Sequence, residues 1–335
     1  MLNVAVALVP VVAFLVALLL MDSFKLVSWR AVVAALLAGA MAAFCASALN
    51  LHLADTLRLP LLLLSRYVAP VTEEGLKALY VLYLIRRGRI GFLVDAAIVG
   101  FAVGTGFALI ENLEYLRALN DPRLLLWMVR GFGTALLHGG TTAILATLAK
   151  ALYDRRGGGP LALTSFAPAL LLATALHSLF NHFLLPPVAA TLLLLTLLPL
   201  LMIAVFERSE RATRDWLGVG LDTDLDLLDA ILKGTVLGTR VGAYLESLKG
   251  RLSGPVVADM LCLLRTQLEL GIRAKGLLLA REAGLEIQVG DDARAGLQEL
   301  RYLEGAIGRT GLLALKPILR RTSRDLWQVY LLERA

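Results

Sequence analysis

Nine ionisable side chains lie within apolar stretches of this chain: Glu73, Glu74, Lys77, Asp95, Glu111, Glu114, His138, His177 and His182, with Asn112 and Asn181 beside them. A charged residue at the centre of a spanning helix costs about 2.5–3.5 kcal/mol on the insertion scale, so each needs a reason. Carboxylates, imidazoles and an ammonium are the groups that move protons and activate water. A carboxylate as base on water, with neighbours that orient the water and stabilise an oxyanion, would serve a hydrolytic site, and the same groups would serve a proton relay. Glu73 and Lys77 are spaced i,i+4 and are expected to pair. Glu74 points about 100° away round the helix, which leaves it free to act as base with Glu73 in support. His177 and Asn181, also i,i+4, would orient water or donate to the oxyanion, and Glu111 and His138 would complete the polar cage. Two imidazoles and a carboxylate also make a zinc set, here His138, His177 and Glu111, with another Glu as base. The compact H-E-x-x-H spacing of helical zinc proteases is absent, so the metal-free version is slightly preferred and Zn2+ stays open. Asp95, Glu114 and His52 lie near helix ends and read as structural.

The elements that must position these groups are membrane helices. The chain has 335 residues, 58% of them hydrophobic, and a mean hydropathy of +0.73, against about 45–50% apolar in soluble proteins. Seven runs are candidates for the roughly 20 apolar residues that a span needs: about 2–21, 29–50, 60–85, 92–117, 124–150, 163–184 and 187–206. The first lacks a basic leader and a small-residue cleavage site and reads as a retained helix. From the rise per residue, Glu73, Glu74 and His138 lie roughly 17 Å from the predicted cytoplasmic ends, His177 roughly 21 Å, and Glu111 and Asn181 roughly 27–28 Å. Four helices thus bring polar groups to the middle or outer half of the membrane. Gly100, Gly104, Gly106, Gly139 and Gly140 thin two of those helices for close approach.

Residues 1–206 hold 14 Lys/Arg and 9 Asp/Glu; residues 207–335 hold 19 and 18. This divides the chain into a membrane domain, 1–206, and a C-terminal domain, 207–335, with amphipathic helices near 237–250, 255–283, 292–307 and 311–333. A further helix is expected to begin at the acidic cluster of "DTDLDLLDAILK". That stretch is no calcium loop, since Leu227 and Lys233 stand where Gly and Glu are needed. The basic residues Lys316, Arg320, Arg321 and Arg324 read as a solvated face. Lys and Arg between the apolar runs are biased to one side, which predicts an outside N-terminus and a cytoplasmic C-terminal domain. The fold class is therefore all-α, a polytopic membrane protein of about seven helices with a cytoplasmic helical domain. The net charge of +6 sets topology and does not imply nucleic acid. Cys45 and Cys262 suggest neither a disulfide framework nor a metal site.

As a set, these residues resemble the PrsW family of intramembrane proteases, within a larger group that includes the CAAX prenyl endopeptidases. The Glu-Glu-x-x-Lys pattern is matched by Glu73, Glu74 and Lys77, and Phe-x-x-x-Glu-Asn by Phe107, Glu111 and Asn112. His138 matches a histidine on the next helix, and His177 with Asn181 matches a final His-x-x-x-Asn element. Lys77 and Glu111 stand where the CAAX branch tends to carry Arg and His, which places the chain with PrsW. The resemblance covers roughly residues 60–185. It implies peptide-bond hydrolysis in or beside the membrane on a membrane-anchored protein substrate, by either a metal-dependent or a glutamate-dependent route. The C-terminal domain is outside it and reads as a place for a protein partner. The rival readings are a proton-coupled transporter, which predicts paired broken helices in two halves, and a non-catalytic scaffold, which would tolerate loss of the polar cage.

Overall fold

The structure, a computed structural model, describes all residues except 120, 158–163, 165, 286–289, 319–322 and 335. The described residues form helices and no strand. In order these are α1 (Leu2–Leu20), α2 (Trp29–Leu57), α3 (Leu61–Leu63), a π-helical stretch (Leu64–Val68), α4 (Ala69–Arg86), α5 (Leu93–Ala118), α6 (Leu124–Met128), a second π-helical stretch (Val129–Thr134), α7 (Ala135–Arg155), α8 (Phe166–Asn181) and α9 (Pro187–Leu232). A 3-10 turn (Val236–Gly238) precedes α10 (Arg240–Leu248), α11 (Gly254–Glu282), α12 (Asp291–Leu315) and α13 (Ser323–Arg334). The chain divides into two compact units, Met1–Glu210 and Arg211–Ala335.

Five stretches are long and apolar enough to cross a membrane: Leu2–Leu20, Trp29–Leu57, Leu93–Ala118, Leu124–Arg155 and Pro187–Leu232. The other two expected runs are helical but fall short by those measures. Helix α4 carries Glu73, Glu74, Lys77 and Arg86, and α8 has 16 residues. The expected sixth run begins at residue 163, which lies outside the described residues, as do Arg320 and Arg321.

Helix α5 is the centre of the first unit, and most of its length is buried. Its glycines explain how two neighbours reach it. A Cβ on Gly104 would lie 2.1 Å from the His138 carbonyl oxygen, and one on Gly100 2.6 Å from that of Thr142, so the α5 and α7 backbones touch along a G-x-x-x-G face. On the α2 side, a Cβ on Gly39 would lie 1.9 Å from Val103 O and one on Gly106 2.0 Å from Leu36 O. The start of α5 is capped by Asp95, whose carboxylate accepts from the Gly91 and Phe92 N–H groups at 2.7 and 2.8 Å.

In the second unit, α11 supplies the core through Met260, Leu263, Leu264 and Leu278, packed against α12 and α13. The expected helix start at Asp222 is not found: α9 runs from Pro187 to Leu232 without a break there. Charged residues of high helix propensity follow Phe206, and no proline falls between Pro199 and Leu232, so nothing local stops the helix. Gly308, at φ 68°, kinks α12 and links the two amphipathic runs that the sequence separates.

Candidate active site

The polar groups meet where α4, α5, α7 and α8 come together. Glu74 and Lys77 are wholly buried, His138 and His177 nearly so, and Glu73 and Glu111 keep part of their surface. Lys77 Nζ donates to Glu74 Oε1 at 2.5 Å and lies 3.2 Å from His138 Nδ1. Its ammonium also sits 4.7 Å from the Phe107 ring centroid. Glu74 Oε1 further accepts from Thr141 Oγ1 at 3.1 Å and faces His177 Nδ1 at 3.0 Å. His138 Nε2 lies 3.1 Å from Glu111 Oε2. The two imidazoles meet edge to face, 4.9 Å between centroids.

The partners assign the tautomers. An ammonium only donates, so His138 Nδ1 accepts from Lys77 and Nε2–H donates to Glu111. A carboxylate only accepts, so His177 Nδ1–H donates to Glu74 and its Nε2 keeps a lone pair. That lone pair lies 3.8 Å from Glu73 Oε2, too far for a hydrogen bond.

The pairing within α4 is the reverse of the expected one. Lys77 takes Glu74 at i,i+3, not Glu73 at i,i+4. Both spacings share a helix face, and the choice falls to Glu74 because Thr141 and His177 converge on the same oxygen. Glu73 is held more loosely, by Asn50 Nδ2 at 3.5 Å, with Asn50 in turn accepting from Thr72 at 2.6 Å. Glu74 Oε1 therefore has three neighbours that donate to it, while Oε2 is buried without a hydrogen-bond partner among the described residues. A buried carboxylate oxygen left without a donor is costly unless a water or ion meets it.

Arg130, near the start of the expected 124–150 run, also belongs to this cluster. Its Nε donates to Asn112 Oδ1 at 3.0 Å. Its Nη2 approaches Glu111 Oε2 at 3.2 Å but off the hydrogen-bonding angle, so that contact is an ion pair. The guanidinium lies 3.5 Å from the Tyr115 ring centroid. Its spacing gave little signal: eight residues before His138 is about 80° round an ideal helix, and the π-helical stretch Val129–Thr134 changes that phase. Asn112 donates to Ala7 O at 2.7 Å and so ties α1 to the site. Asn181 does not join the polar network. Its amide donates to Ser65 O at 2.8 Å and anchors the π-helical stretch ahead of α4, as Ser178 does through Arg66 O at 2.6 Å. His182 is engaged with Ser178 O and Tyr67.

Glu73, His138 and His177 each offer a ligand atom, all within 4.8 Å of one another. Two imidazoles and a carboxylate suit a divalent ion such as Zn2+, and His177 Nε2 and Glu73 Oε2 make no hydrogen bond among the described residues. His138 would have to release either Lys77 from Nδ1 or Glu111 from Nε2. Glu111, the carboxylate expected in that set, is instead paired with His138 and Arg130.

A family model described as PrsW family intramembrane metalloprotease matches residues 27–206, more than half of the chain. No curated protein and no solved structure matches.

Proposed function

Because this chain belongs to the PrsW family of intramembrane metalloproteases, and so is a multi-pass membrane enzyme acting on peptide bonds, we propose that Glu74 is its general base and acts through Oε2. The observation that carries this reading is the buried Oε2, without a hydrogen-bond partner among the described residues, on a carboxylate whose other oxygen meets His177 of the Glu73, His138 and His177 cluster. Oε1 is occupied by Lys77, Thr141 and His177, so Oε2 is the atom left to accept a proton from water. The water oxygen adds to the scissile carbonyl carbon as its proton passes to Oε2. The C–N bond then breaks, and the same proton goes to the leaving nitrogen.

The other residues hold this geometry. Lys77 balances the Glu74 charge inside the protein, which lowers the cost of burying it. Glu74 fixes the His177 ring, so that its Nε2 lone pair points towards Glu73. Arg130 holds Glu111, and Glu111 holds His138. The metal implied by the family description would be held by Glu73, His138 and His177, where it would polarise the carbonyl and acidify the water. The substrates are membrane-anchored proteins, cut at a bond that reaches this depth. Glu73 and Glu111, the two carboxylates of the cluster that keep some exposed surface, are where water would reach it. The chain spans the membrane seven times, N-terminus outside, with the second unit in the cytoplasm, as the bias of Lys and Arg between spans favours.

The test is capture. Glu74→Gln should hold an uncleaved membrane-anchored substrate through purification, while the wild type releases its fragments. A Glu74→Gln protein that releases fragments as the wild type does would remove Glu74 from this role.

A further inference from the structure

The second unit holds a cavity of about 300 Å³, at the lower end of the size range for small-molecule sites. Five helices line it: Thr223, Asp224 and Leu227 from α9, Val241 from α10, Gln267 and Gly271 from α11, Leu300 from α12 and Gln328 from α13. Most of its wall is aliphatic, with a few polar groups converging at one place. Gln328 is 8% exposed, and neither it nor Gln267 makes a hydrogen bond among the described residues. The polar atoms of neither glutamine are sealed from water, so both carboxamides are free to pair with a molecule that enters the cavity.

The position of these groups is defined by Gly271. A Cβ there would lie 3.4 Å from both Asp224 Oδ2 and Gln328 Oε1, so the two oxygens converge on one patch of bare backbone. Asp224 Oδ2 accepts from Lys275 Nζ at 2.7 Å. Lys275 is itself buried and lies 5.2 Å from the Trp216 ring centroid. Lys275 thus matches the Asp224 charge from outside the cavity, and no lysine or arginine is among its described lining residues. Anions find no counter-charge here. A cation would compete with Lys275 for a carboxylate already paired.

We propose that this cavity is a binding site for a small neutral molecule that carries an N–H and C=O edge on an apolar or flat body, in the class of primary carboxamides and nucleobases. The two glutamine carboxamides supply complementary donors and acceptors, Asp224 accepts a further N–H, and the leucine and valine walls cover the body. Such a site lies wholly outside the residues that the family model covers. It gives the second unit a ligand of its own, independent of the proteolytic site.

The full-length protein in detergent micelles is titrated calorimetrically with nicotinamide, benzamide, adenine and cytosine, and with benzoate as the anionic counterpart of benzamide. At least one of the four neutral compounds is expected to saturate with Kd below roughly 1 mM, and benzoate to bind at least about tenfold more weakly than benzamide. Gln328→Leu and Gln267→Leu each weaken the best binder by about tenfold or more, with thermal melting showing that at least one variant is folded. The proposal is overturned if none of the four binds below that limit, if benzoate equals benzamide, or if the folded variants bind as the wild type does.

Discussion

Replacing Gly104 by alanine isolates the geometry of the site from its chemistry, because no charged or hydrogen-bonding group is removed. The new Cβ would lie 2.1 Å from His138 O, and ordinary contact begins at 3.4 Å, so α7 must retreat by about 1.3 Å at this residue. The atoms in the way are backbone, including the His138 carbonyl carbon and Gly139 Cα, and no rotamer change relieves the clash. The retreat carries His138 away from Lys77 and Glu111, which it meets at 3.2 and 3.1 Å. A misplacement of about 1 Å costs on the order of 100-fold in rate, equivalent to about 2.7 kcal/mol in the barrier. Stability should fall by about 1–3 kcal/mol, the usual range for overpacking. The control is Gly75→Ala, between Glu74 and Leu76 on α4, where nothing lies within 4 Å of the added methyl. That variant should keep wild-type activity and gain up to about 1 kcal/mol of helix stability. Both are compared for initial rates on a membrane-anchored reporter that the wild type cleaves, with protein reconstituted in nanodiscs. If Gly104→Ala stays within about threefold of the wild type, close α5–α7 approach is not what places His138.

Lys77→Met leaves Glu74 charged and buried without its ammonium. It should lower stability by about 3–5 kcal/mol, and the Lys77→Met/Glu74→Gln pair should recover part of that loss in thermal melts; equal melting of the single and double variants would deny the pairing. Arg130→Met removes the contacts to Asn112 and Glu111. It should reduce kcat by about tenfold or more with little change in KM, as befits a positioning group; an effect confined to KM would place Arg130 at the substrate instead. Purified protein should carry bound divalent metal, measured by mass spectrometry, that Glu73→Ala and His177→Ala lose and Glu111→Gln keeps. A metal content unchanged in the first two would remove that triad as its holder.

The sequence exposes the chemistry of the site better than its wiring. Glu73, Glu74, Glu111, His138 and His177 stand out because ionisable groups in apolar runs are expensive, and the glycines of α5 announce close packing. What decides which carboxylate Lys77 takes is Thr141 and His177, from two other helices, and no spacing within α4 encodes that. Arg130 was hidden by its place near a predicted helix end, where an arginine reads as an anchor. Asn181 shares a face with His177, yet its amide is taken by Ser65 O because a π-helical stretch ends just ahead of α4. Such π stretches arise from tertiary contacts and often lie near functional sites, so local propensity does not reveal them. The same charges that mark α4 as functional reduce its hydropathy below that of an ordinary span. The continuity of α9 through the acidic cluster shows the opposite failure, in which acidic residues suited to a helix start are accommodated in its interior.

The most direct test of Glu74 as the base is the turnover of Glu74→Gln against Glu114→Gln in nanodiscs, on one reporter and at matched folded protein. Glu114 lies on α5 and meets Ser47, outside the cluster. Loss of product from Glu74→Gln, with wild-type rates from Glu114→Gln, is the predicted result. Turnover by Glu74→Gln equal to the wild type would contradict the account.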